Sequence, residues 1–237
     1  MSELFHIIHE DGELLVINKP AGLVCHPTKG DARSSLISRV RLYLGEGAKA
    51  HLVNRLDRET SGVTVVAKGA EAAGRLGKIW ETRTVSKEYL AIVHGHVKEE
   101  QGLINAPIGK DEHSKVAVKD CVRSDGAASQ TEFQVEKRFE RPDGKFSLLR
   151  IAPRTGRKHQ IRIHLAHAGH PIVGDKLYGG NEDLYLALVE NRLTEADWRT
   201  LILPHQALHA SLVKFELQGK KLSFSAKPEA WFVEFCR

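Results

Sequence analysis

The stretch Leu52-Val-Asn54-Arg55-Leu56-Asp57-Arg58-Glu59-Thr60-Ser61-Gly62, running into Val63-Thr64-Val65-Val66, constrains this chain more than any other. A β-branched run packs well on a pleated surface, and the Thr-Ser-Gly before it has turn chemistry. Asp57, flanked by two arginines, is therefore displayed on a turn between two apolar, β-prone segments at the end of a sheet. Such a carboxylate is either half of a surface ion pair or a reactive centre. Spacing alone favours the surface pair, because most charge clusters are solvated and energetically minor.

Two other segments change that balance. Thr155-Gly-Arg157-Lys158-His159-Gln160-Ile161-Arg162-Ile163-His164-Leu165 opens on a glycine turn and continues with helix-compatible residues, setting Arg162 amid apolar neighbours. Lys87-Glu88-Tyr89-Leu90-Ala91-Ile92-Val93-His94 alternates as a strand does and puts Lys87, Tyr89, Ala91 and Val93 on one face. Around these lie Glu13-Leu-Leu-Val-Ile-Asn-Lys19-Pro20-Ala-Gly22 with His26-Pro27, then Gly169-His-Pro-Ile-Val-Gly174-Asp175-Lys176-Leu-Tyr178-Gly179, and Leu208-His209-Ala210. In this order, from about residue 7 to residue 231, the segments resemble the RluA-like pseudouridine synthases, which isomerise uridine in RNA to its C-glycoside.

The resemblance implies an α+β pseudouridine synthase catalytic fold, with a mixed, largely antiparallel sheet and flanking helices and loops around a central cleft. It marks Asp57 as the catalytic aspartate, Arg162 as the arginine that pairs with it, and Tyr89 as the active-site tyrosine lying against the base. Arg55 either enters the RNA where the target base has left or makes a plain phosphate contact. Arg58, Lys19, Arg157, Lys158, His159 and Gln160 complete the expected RNA-binding set. Asn54 departs from the family, where a His precedes Arg-Leu-Asp; an amide can keep a hydrogen bond but cannot titrate near neutral pH.

The reaction breaks N1–C1′, turns the captive base, joins C5 to C1′ and removes the C5 proton. It involves no net redox change, so no cofactor or metal is expected. A carboxylate can add to C1′ or take a proton from C2′, and the sequence does not separate these routes. Stacking on Tyr89 tolerates a rotating uracil. The partner implied is RNA, ribosomal or transfer, with no membrane and no protein partner; the alternative is a non-catalytic RNA-binding or folding factor on the same scaffold.

The rest of the chain agrees. Its 237 residues show no linker, repeat or low-complexity tract and fit a single catalytic domain over residues 1–237. No small N-terminal RNA-binding domain is expected ahead of Phe5, so substrate selection is expected from the catalytic domain itself. Lysines and arginines number 35 against 30 acids, a net charge of +5. Six bases (Lys145, Arg150, Arg154, Arg157, Lys158, Arg162) fall between Gly144 and Gly174 without an acid, and Arg33, Arg39, Arg41, Lys49, Arg55 and Arg58 make a second basic stretch. Both would suit phosphates along a site.

Three dispersed cysteines without a CxxC pair and an N-terminus without signal-peptide character point to a cytoplasmic protein, with monomer as the default. Gly45-Glu-Gly47 mimics a dinucleotide fingerprint but follows a helix-like segment, the reverse of the order that mechanism needs. His159, His164, His167 and His170 are spaced too loosely round a helix for a zinc site. Helices are expected over 34–44, 70–80 and 159–168, and a β-hairpin over 133–151 turned at Pro142-Asp143-Gly144. Residues 105–130 should form loops around a short strand. Strands outnumber helices without a βαβ rhythm, which favours α+β.

Overall fold

The computed structural model describes residues 5–27, 34–45, 47–82 and 84–237. Arg33, at the head of the second basic stretch, lies outside them. In chain order come β1 (His6–Glu10), β2 (Leu14–Lys19), α1 (Leu36–Leu44), β3 (His51–Leu52), β4 (Ser61–Ala67), α2 (Ala70–Glu81) and β5 (Ser86–His94). There follow β6 (Gln101–Asn105), β7 (Ile108–Lys110), β8 (Asp120–Val122), β9 (Gln130–Arg141), β10 (Gly144–Pro153) and α3 (Gln160–His167). The chain ends with α4 (Asp183–Val189), α5 (Glu195–Leu201), β11 (Leu208–Leu217), β12 (Lys220–Ser225) and α6 (Ala230–Phe235). The fold is α+β, with strands paired mainly antiparallel.

The chain divides into two compact units, one running up to Glu88 and resuming at His209–Phe235, the other spanning Tyr89–Leu208. In the first, β4 is central. Its residues Ser61 to Ala67 are all buried, because both faces are covered. Val63, Val65 and Ala67 pack with Leu14, Val16, Leu76 of α2, Val213 and Phe215. Val66 turns the other way, to Leu15, Ile17, Leu36, Ile37 and Val40 of α1. A strand covered on both faces has no solvent-facing set of side chains, which is why even Thr64, the one hydroxyl within Val63 to Val66, is fully buried. β2 runs antiparallel along one edge of β4. The other edge is shared, with β11 parallel at Ser61 and Gly62 and β3 antiparallel at Val66 and Ala67. Gly62 has φ +115°, and a Cβ there would stand 2.2 Å from the carbonyl oxygen of Ala210. Only glycine permits that approach of the two strands.

In the second unit β5, β10, β9 and β6 lie side by side in that order, all antiparallel. Helix α3 lies against β8, β9 and β10. A small apolar cluster of Ile108, Val116, Ile163, Leu177 and Tyr178 seats the β7–β8 hairpin on α3. That hairpin occupies the segment expected to be loops around one strand; its strands are only three residues each, too short for a periodicity to show.

Candidate active site

Asp57 sits half-buried on a turn that is fastened from several directions. The Val53 amide donates to the Val65 carbonyl, and the Asn54 side chain continues the ladder: its Oδ1 accepts from the Val65 amide at 2.7 Å and its Nδ2 donates to the Val63 carbonyl at 3.2 Å. The residue that departs from the family pattern thus ties the turn to the central strand. Leu56, beside Asp57, is gripped by Cys25, whose sulfur accepts from the Leu56 amide and whose thiol donates to its carbonyl, both at 3.4 Å. On the other side, the Lys19 ammonium donates to the carbonyls of Arg58 at 3.1 Å, Leu23 at 2.8 Å and Pro20 at 2.9 Å. The turn closes with the Thr60 amide donating to the Asp57 carbonyl at 3.2 Å.

Lys19 corrects an expectation. Placed by sequence among the RNA contacts, it is 0% exposed, so no phosphate reaches it. Burial depresses its pKa to about 8, against the opposing pull of Cys25, Asp57 and Glu229. It is a cation inside the protein, next to Asp57 in electrostatic terms, holding backbone in place. Just beyond the turn, Ser61 meets His209 at 2.9 Å, while His209 Nε2 lies 3.0 Å from the Ala226 carbonyl. That carbonyl can only accept, so Nε2 carries the proton and Nδ1 accepts from Ser61. Burial lowers the His209 pKa and keeps the ring neutral.

In the second unit Arg162 is 6% exposed on α3. Its Nε donates to Asp175 Oδ2 at 2.7 Å and its Nη2 to Asp175 Oδ1 at 2.9 Å. Asp175 Oδ1 also accepts from the backbone amides of Leu177 and Tyr178 at 2.9 and 3.0 Å. Desolvation works to raise the Asp175 pKa, but the Arg162 charge and these donors outweigh it and leave it below the ordinary value. The Tyr178 ring covers the guanidinium, 4.9 Å from Cζ to the centroid. Asp175 and Tyr178 both belong to the Gly169 to Gly179 segment, but no spacing in the sequence sets them opposite Arg162. Tyr89, half-buried on β5, pairs in register with Ile151 of β10.

Gln160 is a second correction. Expected to touch RNA, it is 4% exposed, with its amide fully used. Its Nε2 donates to the Gln130 carbonyl and to Thr131 Oγ1, both at 2.9 Å, and its Oε1 accepts from Thr155 Oγ1 at 2.7 Å and the Arg157 amide at 3.0 Å. Thr131 in turn bonds His164 Nδ1 at 2.8 Å, and His164 Nε2 reaches the Ala106 carbonyl at 2.9 Å. This buried chain fixes α3, and so Arg162, against β9. Lys176 is buried too, donating to the Pro204 carbonyl at 2.7 Å.

The acid-free stretch of sequence is not an acid-free surface. Acids from β9 and β8 come across to meet it: Glu140 to Lys145, Glu136 to Arg150, Glu132 to Arg154, and Asp120 to Lys158 at 2.8 Å. Arg157 is exposed and has no ion-pair partner among the described residues, and the same holds for Arg55. Arg58 is exposed, its Nε donating to the Gly22 carbonyl at 3.2 Å. His159, half-buried with φ +55°, places Nδ1 3.0 Å from the Tyr178 hydroxyl.

An α+β scaffold that presents an aspartate on a pinned turn and a buried, carboxylate-held arginine on a short helix matches one class of RNA-modifying enzyme. The sequence pattern of the RNA pseudouridylate synthase family matches residues 13–167, and the chain belongs to that family of isomerases, which convert uridine to pseudouridine in RNA. It is 36% identical over 226 residues to ribosomal large subunit pseudouridine synthase D of Vibrio cholerae, covering 93% of this chain and 66% of that protein. It is 41% identical over 178 residues to the dual-specificity RNA pseudouridine synthase RluA of Vibrio parahaemolyticus, covering 74% and 70%. The solved human RNA pseudouridylate synthase domain containing 4 superposes with a TM-score of 0.73 at 28% identity, covering 96% of this chain and 90% of that one. The chain spans 56–70% of the length of the curated relatives it matches.

Proposed function

We propose that residues 1–237 act as a single catalytic domain that isomerises a uridine of ribosomal RNA, with Asp57, Tyr89 and Arg162 working on the same everted nucleotide. The observation that carries this reading is that all three lie within the family match at residues 13–167. Their surroundings support it. The backbone either side of Asp57 is fastened at Leu56 and Arg58, so the carboxylate is presented by a preorganised turn. Arg162, held by Asp175, is assigned the part that the family resemblance gives it, the cation that offsets the cost of a carboxylate beneath the base.

In this mechanism Asp57 adds to C1′ or removes the C2′ proton, and N1–C1′ breaks. Uracil turns against the Tyr89 ring, C5 bonds C1′, and the C5 proton leaves with assistance from the Tyr89 hydroxyl while N1 gains a proton. No atom is gained or lost overall. Arg55, Arg58 and Arg157, exposed in the structure, contact RNA, as do Lys158 and His159. Flipping costs a few kcal/mol of unstacking, part of which Arg55 offsets if it enters the vacated space.

The protein is proposed to work as a cytoplasmic monomer; no helix among the described residues is long and apolar enough to cross a membrane. The relatives' names favour large-subunit ribosomal RNA over transfer RNA as the target. The test is tritium release from C5-labelled uridine in total RNA from a deletion strain, with sequencing to map the site. Release at one ribosomal uridine is expected. RNA binding that weakens with salt but yields no product on any cellular RNA would instead establish a non-catalytic RNA-binding factor.

A further inference from the structure

Tyr178 is held at both ends. At its backbone end the amide donates to Asp175 Oδ1 at 3.0 Å, the same oxygen that accepts from Arg162 Nη2. At its far end the hydroxyl accepts from the Asp120 amide of β8 at 3.3 Å and meets His159 Nδ1, one residue before α3, at 3.0 Å. Between these anchors the ring lies across the face of the Arg162 guanidinium, 4.9 Å away. The residue is buried, and burial raises the phenol pKa, so the hydroxyl stays neutral and able to donate.

Two hydrogen bonds to a carboxylate fix the edge of a guanidinium more firmly than the tilt of its plane. A ring across the face constrains that plane and adds a cation–π attraction that is stronger away from water. The ring is in turn set by β8, whose hairpin shares an apolar cluster with Tyr178 and with Ile163, the neighbour of Arg162. We propose that Tyr178 is a positioning residue for Arg162, and that its hydroxyl makes the plane of the guanidinium depend on how the β7–β8 hairpin is seated on α3.

This inference rests on the role given to Arg162 above, and one set of variants separates the two. Single-turnover isomerisation, RNA affinity and thermal unfolding are measured for Tyr178→Leu, Tyr178→Phe and Arg162→Lys. A small misplacement of a catalytic group can cost on the order of 10²-fold, so Tyr178→Leu is expected to slow the chemical step by about that factor while RNA affinity stays within about threefold. Tyr178→Phe keeps the ring and loses the anchor, and is expected to recover the rate to within about tenfold of wild type.

Equal rate losses in the two Tyr178 variants that simply follow their melting temperatures, or a wild-type rate in Tyr178→Leu, would overturn the proposal. If Tyr178→Leu does not fold, Tyr178→Phe decides: a rate about three- to tenfold below wild type at unchanged RNA affinity supports the anchor, and a wild-type rate removes it. Arg162→Lys loses the bidentate fork. A wild-type rate in that variant would remove the role of Arg162 itself, whereas its failure alongside a fully active Tyr178→Leu would remove only the role of Tyr178.

Discussion

Asp175 holds Arg162 side-on, with Oδ2 2.7 Å from Nε and Oδ1 2.9 Å from Nη2, in a pair that is almost wholly out of water. Each charge is tolerated there because of the other. Removing one partner of a buried pair leaves an uncompensated charge and costs about 3–5 kcal/mol. Asp175→Ala is therefore expected to lower unfolding free energy by that much in urea titration and to abolish detectable isomerisation. A variant as stable as wild type would show that the pair contributes nothing to holding Arg162.

Gly62 tests the junction between β4 and β11. With φ +115° and only 2.2 Å available between a new Cβ and the Ala210 carbonyl oxygen, Gly62→Ala must either strain the backbone or push the strands apart. A cost on the order of 3 kcal/mol is expected, read from chemical denaturation, since backbone strain and overpacking each contribute. Gly69→Ala is the control, because a Cβ there meets nothing within 4 Å.

Lys19 makes a signed prediction about pH. Its pKa falls from 10.5 in the open chain to about 8 in the folded protein, mainly through burial. Between those values the unfolded chain holds the proton that the folded protein has released, so stability from this group rises with pH across about 8 to 10.5. The full swing corresponds to about 3 kcal/mol. The stability difference between wild type and Lys19→Met should be flat below pH 8 and shift in favour of wild type above it. A difference that falls over that range would contradict the buried ammonium described here.

Arg157 separates binding from chemistry. It is exposed and has no ion-pair partner among the described residues, unlike the neighbouring Lys158 with Asp120. A phosphate contact adds about one unit to the slope of log affinity against log salt. Arg157→Ala is expected to weaken RNA binding and reduce that slope by about one, leaving the single-turnover rate at saturation unchanged. An unaltered slope would take Arg157 off the RNA path.

Much of this arrangement was legible in the sequence, for identifiable reasons. The β-branched run Val63-Thr64-Val65-Val66 indicated a strand, though not that both of its faces are covered, and α1 and α2 fall where apolar spacing and polar flanks set them. β6 carries a glycine and two polar ends, and α6 follows a proline and spans only Ala230–Phe235; neither offers enough residues to reveal a period. The site was legible as residue types but not as burial. Lys19 and Gln160 read as surface polar groups because lysine and glutamine usually are; three carbonyls around one ammonium, and a saturated amide, depend on loops far apart in sequence. The basic stretch likewise read as a phosphate track because its neutralising acids sit on β9 and β8.

The central claim is that Asp57 performs the chemistry, and Asp57→Asn tests it most directly because the amide keeps the size of the side chain and removes its charge and nucleophilicity. The measurement is the single-turnover rate of tritium release from C5-labelled RNA at saturating enzyme. The expected result is a fall of at least about 10⁴-fold, with RNA affinity within about threefold and melting temperature near wild type. Release at the wild-type rate would mean that Asp57 is not the catalytic carboxylate.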